Sequence, residues 1–131
     1  MSRSVIIKSF NNCFLDFIKD ISDLYPLNKD IKNSLKSIEL INRLTPTIVI
    51  KVWYTNINLP YQSFIDVGDI SFFIEKNYEK DLSLVSNANE ILQMIDRIRD
   101  PISSMSSINR SHTMKHIQNL SKLSLLYQNM S

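Results

Sequence analysis

The chain has 131 residues, a formal net charge of +2, a hydrophobic content of 44% and a charged content of 21%. These values are typical of one globular domain, expected over residues 1–131, and they argue against global disorder. The single cysteine excludes an internal disulfide and a multi-cysteine zinc site, and the single glycine excludes glycine-rich phosphate loops. No stretch approaches the roughly 20 apolar residues that cross a bilayer, so no membrane association is expected.

The first predicted element is a helix over residues 4–25. Its apolar side chains recur every three or four positions, which is the spacing of one buried helix face. This stripe consists of Ile6, Phe10, Cys13, Phe14, Phe17, Ile21 and Leu24. Pro26 ends the helix because proline lacks a backbone N–H. Asn28 is then predicted to cap a second helix, whose buried stripe begins at Ile31.

One face of the second helix is basic. Its positively charged residues are Lys29, Lys32, Lys36 and Arg43. Such a face can contact nucleic-acid phosphates without reading the base sequence. However, Asp30 and Glu39 flank it and no aromatic residue lies between the cations. A solvated face is therefore favoured, and nucleic-acid binding through this face and the basic C-terminal segment is the alternative.

The third element, TIVIKVWYTNI over residues 47–57, is rich in β-branched and aromatic residues, and it fits a strand as well as a helix. A helix is favoured because Ile50, Trp53 and Ile57 share one helical face and no second strand is available for pairing. Pro60 is expected to end this element.

Residues 64–82, FIDVGDISFFIEKNYEKDL, combine five carboxylates with four aromatic residues and the only glycine. Asp66 and Asp69 lie three positions apart, so they do not match the alternating oxygen ligands of a calcium loop. We expect Gly68 to end a short helix from about Gln62 in the left-handed conformation, and Asp69 to cap the next turn. The segment is therefore predicted to be an elbow between helices and not a metal or catalytic site.

The charge of the chain is unevenly distributed. Residues 64–82 carry five acids and two lysines, whereas residues 101–131 contain three cations and no acid. This polarity predicts that the two segments dock on each other within one chain, or alternatively between two copies of it.

The remaining candidates for chemistry are isolated residues. His112 and His116 have the four-residue spacing of a zinc pair, but no Glu follows the first and no third ligand is near in sequence. Cys13 lies on the apolar stripe without a cationic neighbour, so an inert buried thiol is expected. The sequence therefore predicts no catalytic residue, no metal and no cofactor, and hence not an enzyme.

The last third of the chain reads as helical. Asn87 and Glu90 resemble a capping box for a helix that runs to Arg99, and Pro101 breaks this helix. Ser107 is the predicted cap of a final helix. The predicted fold class is all-α: a compact single-domain bundle of five to seven helices with short irregular central segments.

The segment FNNCFLDFIKDISDLYPLNKDIKNSLKSIELINRLTPTIVIKVWY resembles small helical proteins from nucleocytoplasmic large DNA viruses of amoebae and algae. The features shared are the aromatic residues of the first helix, Tyr25-Pro26 and Trp53, followed by residues 69–73 and IQNLSKLS near the end. The resemblance implies a viral accessory or virion-associated protein without enzyme activity, located in the virion or in the cytoplasm of an infected host cell.

The favoured function is a non-enzymatic protein-interaction module. Its partner is expected to be a viral or host protein, or a second copy of the chain. The residues predicted to form its aromatic binding surface are Tyr54, Tyr61, Phe64, Phe72, Phe73 and Tyr78.

Overall fold

A computed structural model describes residues 2–75 and 86–130. Its elements are α1 (Arg3–Leu24), α2 (Lys29–Leu44), α3 (Ile48–Trp53), a π-helical segment (Tyr54–Asn58), α4 (Leu59–Asp66), α5 (Ser71–Glu75), α6 (Ser86–Arg97), α7 (Arg99–Ser103) and α8 (Ser107–Asn129). The π-helical segment joins α3 to α4 without a break, and one residue separates α6 from α7. These ranges therefore form six continuous helical runs and contain no strand, which confirms the predicted all-α class.

The apolar stripe predicted for the first helix is the side of α1 that faces the core. Phe10, Phe14 and Phe17 are each 0% exposed, while Leu24 at the end of the stripe is 45% exposed. Burying each phenylalanine contributes about 1.5–3 kcal/mol, which exceeds what helix propensity supplies here. The packing partners of α1 are mainly α8 and α2. Tertiary packing therefore holds α1 in place.

A cluster of five aromatic rings forms the centre of the core. Its members, called the Trp53 cluster, are Phe10, Phe14, Phe17, Trp53 and Phe73, and all are 0% exposed. The Trp53 ring lies 6.0–6.5 Å from the other four centroids, and its contacts with the rings of α1 are edge-to-face, the arrangement that aromatic quadrupoles favour. The indole Nε1 donates a hydrogen bond to Ser121 Oγ at 3.0 Å. This buried bond ties α3 to α8.

The helical interpretation of residues 47–57 is correct, and the backbone leaves the helical conformation at Tyr61, next to the predicted end at Pro60. The Leu59 N–H donates to the Tyr54 carbonyl, five residues back, which is the π-helical pattern. Pro60 lies in the first turn of α4, and the backbone kinks at Tyr61 (φ −124°, ψ 17°), where two helical stretches meet. The predicted end of the element is therefore a kink between two helical stretches.

Two predicted helix caps can be compared with the structure. Asn28 Oδ1 accepts from the Ile31 N–H at 3.2 Å, as predicted. The cap of α8 is Ser106, one residue before the predicted Ser107, and its Oγ accepts from the Asn109 N–H at 3.2 Å. The capping box at residues 87 and 90 depends on side chains outside the described part of the chain.

Candidate functional site

The elbow between α4 and α5 is built around the only glycine. Gly68 has φ +76°, and its N–H donates to the Ile65 carbonyl at 3.0 Å. The Asp69 N–H donates to the Phe64 carbonyl at 2.9 Å, which completes a Schellman motif. The left-handed role predicted for Gly68 is thus confirmed, and the helical stretch that it ends starts after the kink at Tyr61, as predicted.

Asp69 acts as a cap, as predicted. Its Oδ1 accepts from the Ser71 N–H at 3.0 Å and from the Ser71 hydroxyl at 2.5 Å. Because the hydroxyl and the N–H both stabilise the charged form, they hold the pKa of this exposed carboxyl below its usual value. Glu79 and Asp81 lie outside the described residues. Within residues 2–75 and 86–130, no three His, Cys, Asp or Glu side chains are grouped to hold a metal ion.

Three aromatic rings pack together beside the elbow. Tyr61 stacks on Phe72 at 5.2 Å between centroids, and Phe64 lies 6.1 Å from Phe72 and 6.5 Å from Tyr61. These three residues are called the Phe64 cluster. The Phe64 side chain is 43% exposed, and on the same helix face Val67 is 79% exposed. The cluster therefore presents mainly the Phe64 ring to solvent, beside the exposed Val67, while Phe72 is buried beneath it.

The structure divides the six residues of the predicted aromatic surface. Tyr61, Phe64 and Phe72 meet in the Phe64 cluster, and Tyr54 lies half-buried in the π-helical segment. The surface positions predicted for Phe72 and Phe73 are wrong, because the two side chains are buried, at 8% and 0% exposed. Phe73 packs in the Trp53 cluster, and Phe72 is covered by the rings of Tyr61 and Phe64. Tyr78 lies outside the described residues.

The basic face of α2 has the geometry that the sequence predicts. The side chains of Lys29, Lys32, Lys36 and Arg43 are all exposed. Ile31, Ser34 and Ile38 are buried on the opposite side of the helix. The four cations thus line one solvent-facing strip, and nucleic-acid binding by this strip stays a prediction.

The acidic elbow and the basic last helix meet within one chain. Gln118 Nε2 on α8 donates to the Ile65 carbonyl at 2.9 Å, and α4 packs on α8. This contact fits internal docking of the two oppositely charged segments. The hydrogen bond that joins the two segments here is a neutral one.

The two histidines line a cavity between α1 and α8. The cavity has a volume of about 310 Å³, and its wall includes Phe17, Asp20, His112 and His116. His116 Nε2 lies 2.6 Å from Asp20 Oδ2, and the imidazole packs 5.8 Å from the Phe17 ring. His116 therefore bridges the first and last helices. Sequence reasoning missed this pair because 96 positions separate its members.

Cys13 is half-buried on α1. Burial, and secondarily the nearby Asp16 carboxylate, raise the pKa of its thiol. A raised pKa keeps the thiol protonated at neutral pH, which opposes nucleophilic chemistry. This agrees with the inert thiol expected from the sequence.

Comparisons with known proteins identify no relative of this chain. No family model, curated protein or solved structure matches it significantly. In the part of the chain that the structure describes, no helix combines the length and apolar composition needed to cross a membrane. The functional argument therefore depends on the chain's own contacts and surfaces.

Proposed function

We propose that this chain is a non-enzymatic protein-interaction module that binds a protein partner through the Phe64 cluster. The observation that carries the proposal is the stack of Tyr61, Phe64 and Phe72, with Phe64 43% exposed next to the exposed Val67. Aromatic residues on rigid helices are the usual anchors of protein interfaces, because they bury large areas with little loss of side-chain freedom.

The charges beside the cluster indicate the chemistry of the partner. Asp66 is exposed at the elbow, next to the exposed apolar side chains of Phe64 and Val67. A complementary surface carries an apolar anchor flanked by Lys or Arg, because opposite charges at the rim of an interface steer association. The proposed partner is therefore a protein, viral or host, with an apolar segment bordered by basic residues.

The resemblance to small viral proteins supports a proposal about the role and location of the protein. We assign the chain an accessory or virion-associated role, in the virion or in the cytoplasm of an infected host cell. Mass spectrometry of purified particles and of infected-cell cytoplasm tests this location. Absence of the protein from both fractions, with detection elsewhere in the cell, would contradict it.

Affinity capture with matched variants tests the interaction. Phe64→Ser should lose a specific protein partner that the wild type retains, because it removes the central exposed ring of the cluster. Leu126→Ser is the control, since Leu126 is 48% exposed on α8 and lies outside the cluster. Equal capture by wild type and Phe64→Ser would contradict the proposal.

The alternative function, nucleic-acid binding, is tested with the same samples. The observation that favours it is the strip of four exposed cations on α2. Replacing Lys32 and Lys36 together by Glu should abolish DNA or RNA retention without unfolding the domain, because both side chains are exposed. We expect weak retention by the wild type at physiological salt, since a small patch of cations is screened there. Strong retention that the double variant loses would establish the alternative.

A further inference from the structure

A second surface feature is built from elements other than those of the Phe64 cluster. A groove of about 560 Å³ lies between α1 and the junction of α2 with α3. Ile7 and Leu15 line its floor with apolar surface, and Lys8 and Arg43 border it. A groove of this size accommodates a ligand of several residues, because ligand sites typically have volumes of about 300–1,000 Å³.

Three side-chain polar atoms of two asparagines that line this groove have no hydrogen-bond partner. Asn11 is 8% exposed; its Nδ2 donates to the Pro46 carbonyl at 2.9 Å, while its Oδ1 accepts no hydrogen bond. Asn42, which also lines the groove, has neither its Oδ1 nor its Nδ2 paired. Among the described residues, five buried side-chain polar atoms have no partner, and three of them belong to these two asparagines. Such atoms destabilise the free protein, so a ligand that pairs with them gains affinity.

We propose that this groove binds an extended peptide segment that carries an apolar residue next to an acidic one. A carboxamide offers one acceptor and two donors, so Asn42 can pair with both the N–H and the C=O of a peptide unit. Asn11 Oδ1 can accept a second backbone N–H. The terminal torsion of asparagine is soft, so the Asn42 carboxamide, which holds no hydrogen bond, can rotate to meet the ligand.

The pattern of unpaired atoms selects a peptide over an apolar anion such as an alkyl carboxylate. Two of the three atoms, Asn11 Oδ1 and Asn42 Oδ1, are acceptors. An ionised carboxylate has no donor to satisfy them, whereas a peptide backbone supplies an N–H at every residue except proline. The two acceptors therefore require a ligand that donates hydrogen bonds from within an apolar groove.

The rim of the groove supplies charge selectivity. Lys8 on α1 and Arg43 at the end of α2 are both exposed and border the apolar floor. An acidic side chain of the peptide can reach these cations while its apolar neighbour packs against Ile7 and Leu15. Because adjacent side chains of an extended segment point in opposite directions, the acidic and apolar residues can face the rim and the floor separately.

An array of short synthetic peptides tests the proposal. The peptides vary the spacing between one Leu and one Asp or Glu, and a matched set replaces the acid with Lys. We expect the full-length chain to bind the acidic set and not the lysine set. On addition of the best peptide, the side-chain amide signals of Asn11 and Asn42 should shift in a two-dimensional NMR spectrum, which a purely structural role would not produce.

The affinity for the best peptide is then measured for three variants. Asn42→Leu should reduce affinity at least about tenfold and raise the melting temperature, because it removes two unpaired atoms and their peptide contacts together. Lys8→Glu should weaken binding without affecting the fold, since Lys8 is exposed. Lys19→Glu is the matched control on α1, because Lys19 is also exposed but does not line the groove.

Several outcomes would overturn the proposal. These are equal affinity of wild type and Asn42→Leu, no binding to any peptide of the array, or saturable binding of dodecanoate at the asparagines in place of peptides. The inference is independent of the Phe64 cluster, so Phe64→Ser should bind the peptide normally. Loss of peptide binding in Phe64→Ser would place the peptide at the cluster and not in the groove.

Discussion

The Trp53 cluster and the Phe64 cluster use similar side chains at similar separations but meet solvent differently. Every ring of the first is 0% exposed, whereas Phe64 is 43% exposed. The clusters touch at Phe72 and Phe73, neighbours in α5 whose centroids lie 6.1 Å apart. Rings from α1, α3 and α5 meet around Trp53, while those around Phe64 come from α4 and α5 alone. Both regions are rich in aromatic residues. The buried region differs from the surface region in the larger number of helices whose rings meet there.

The largest expected effect is on the core. Phe17→Ala should lower the free energy of unfolding by about 3–5 kcal/mol, because it truncates a fully buried ring that contacts Phe14, Trp53 and Phe73. Asp16→Ala is the control: its side chain is exposed, so a change within about 0.5 kcal/mol is expected. Urea denaturation measures both, and equal midpoints would show that the wrong face of α1 is assigned to the core.

A smaller effect is expected at the elbow that holds Phe72 against Phe64. Gly68→Val should cost more than about 1 kcal/mol, because a β-branched residue resists a φ of +76°. An added Cβ would meet only Gln118 Nε2 at 3.6 Å, an ordinary contact, so the cost is conformational. Thermal unfolding of the wild type and of Gly68→Val measures this loss of stability.

Asp69→Asn is the control for this elbow, because Asn caps helices about as well as Asp. It should fold and bind like the wild type. A folded Asp69→Asn variant that loses partner binding, beside a Gly68→Val variant that keeps it, would show that Asp69 belongs to a binding site.

A still smaller effect on stability is expected from the surface cluster. Phe64→Ala should change the free energy of unfolding by much less than Phe17→Ala, because Phe64 keeps nearly half its exposure in the folded state. Chemical denaturation of the two variants side by side checks this ranking. Destabilisation as large as that of Phe17→Ala would remove the distinction between the clusters.

The smallest expected effect concerns Cys13, the half-buried thiol on α1. Its raised pKa means that the protonated thiol stabilises the fold below the pKa of the unfolded chain, and this contribution is lost as pH rises through the folded value. Native Cys13 should thus react with iodoacetamide more slowly than the unfolded chain at mildly alkaline pH. Asp16→Asn should speed the reaction slightly, since the carboxylate is the lesser cause of the shift. Asp23→Asn serves as the control, and a faster native reaction would contradict the assignment.

Local sequence signals predicted the features that depend on local physics. The α1 stripe, the Asn28 cap and the left-handed Gly68 follow from helical spacing, side-chain capping and backbone sterics. Features that depend on contacts between residues distant in sequence could not be predicted from these local signals. The burial of Phe72 and Phe73 depends on rings from other helices, and a five-residue helix is too short for its periodicity to show which of its residues are buried.

The candidate sites show the same division. The basic face of α2 could be predicted because one helix carries all four cations. The Asp20–His116 pair and the groove with Asn11 and Asn42 join separate elements, so neither has a local signal. The π-helical segment before Pro60 was not predicted, because its five-residue hydrogen-bond pattern has no distinctive composition.

The packing of the first helix on the last has a consequence for how the chain is made. α1 leaves the ribosome before α8, which is its main packing partner. Asp20 can pair with His116 only after a further 96 positions have been synthesised. At about 5–20 residues per second, synthesis of the intervening chain takes several seconds. During that time the phenylalanine stripe of α1 is without its main partner, and closing so long a loop is slow compared with forming a helix. We therefore expect the apolar face of α1 to stay open to solvent or to chaperones until α8 has been synthesised.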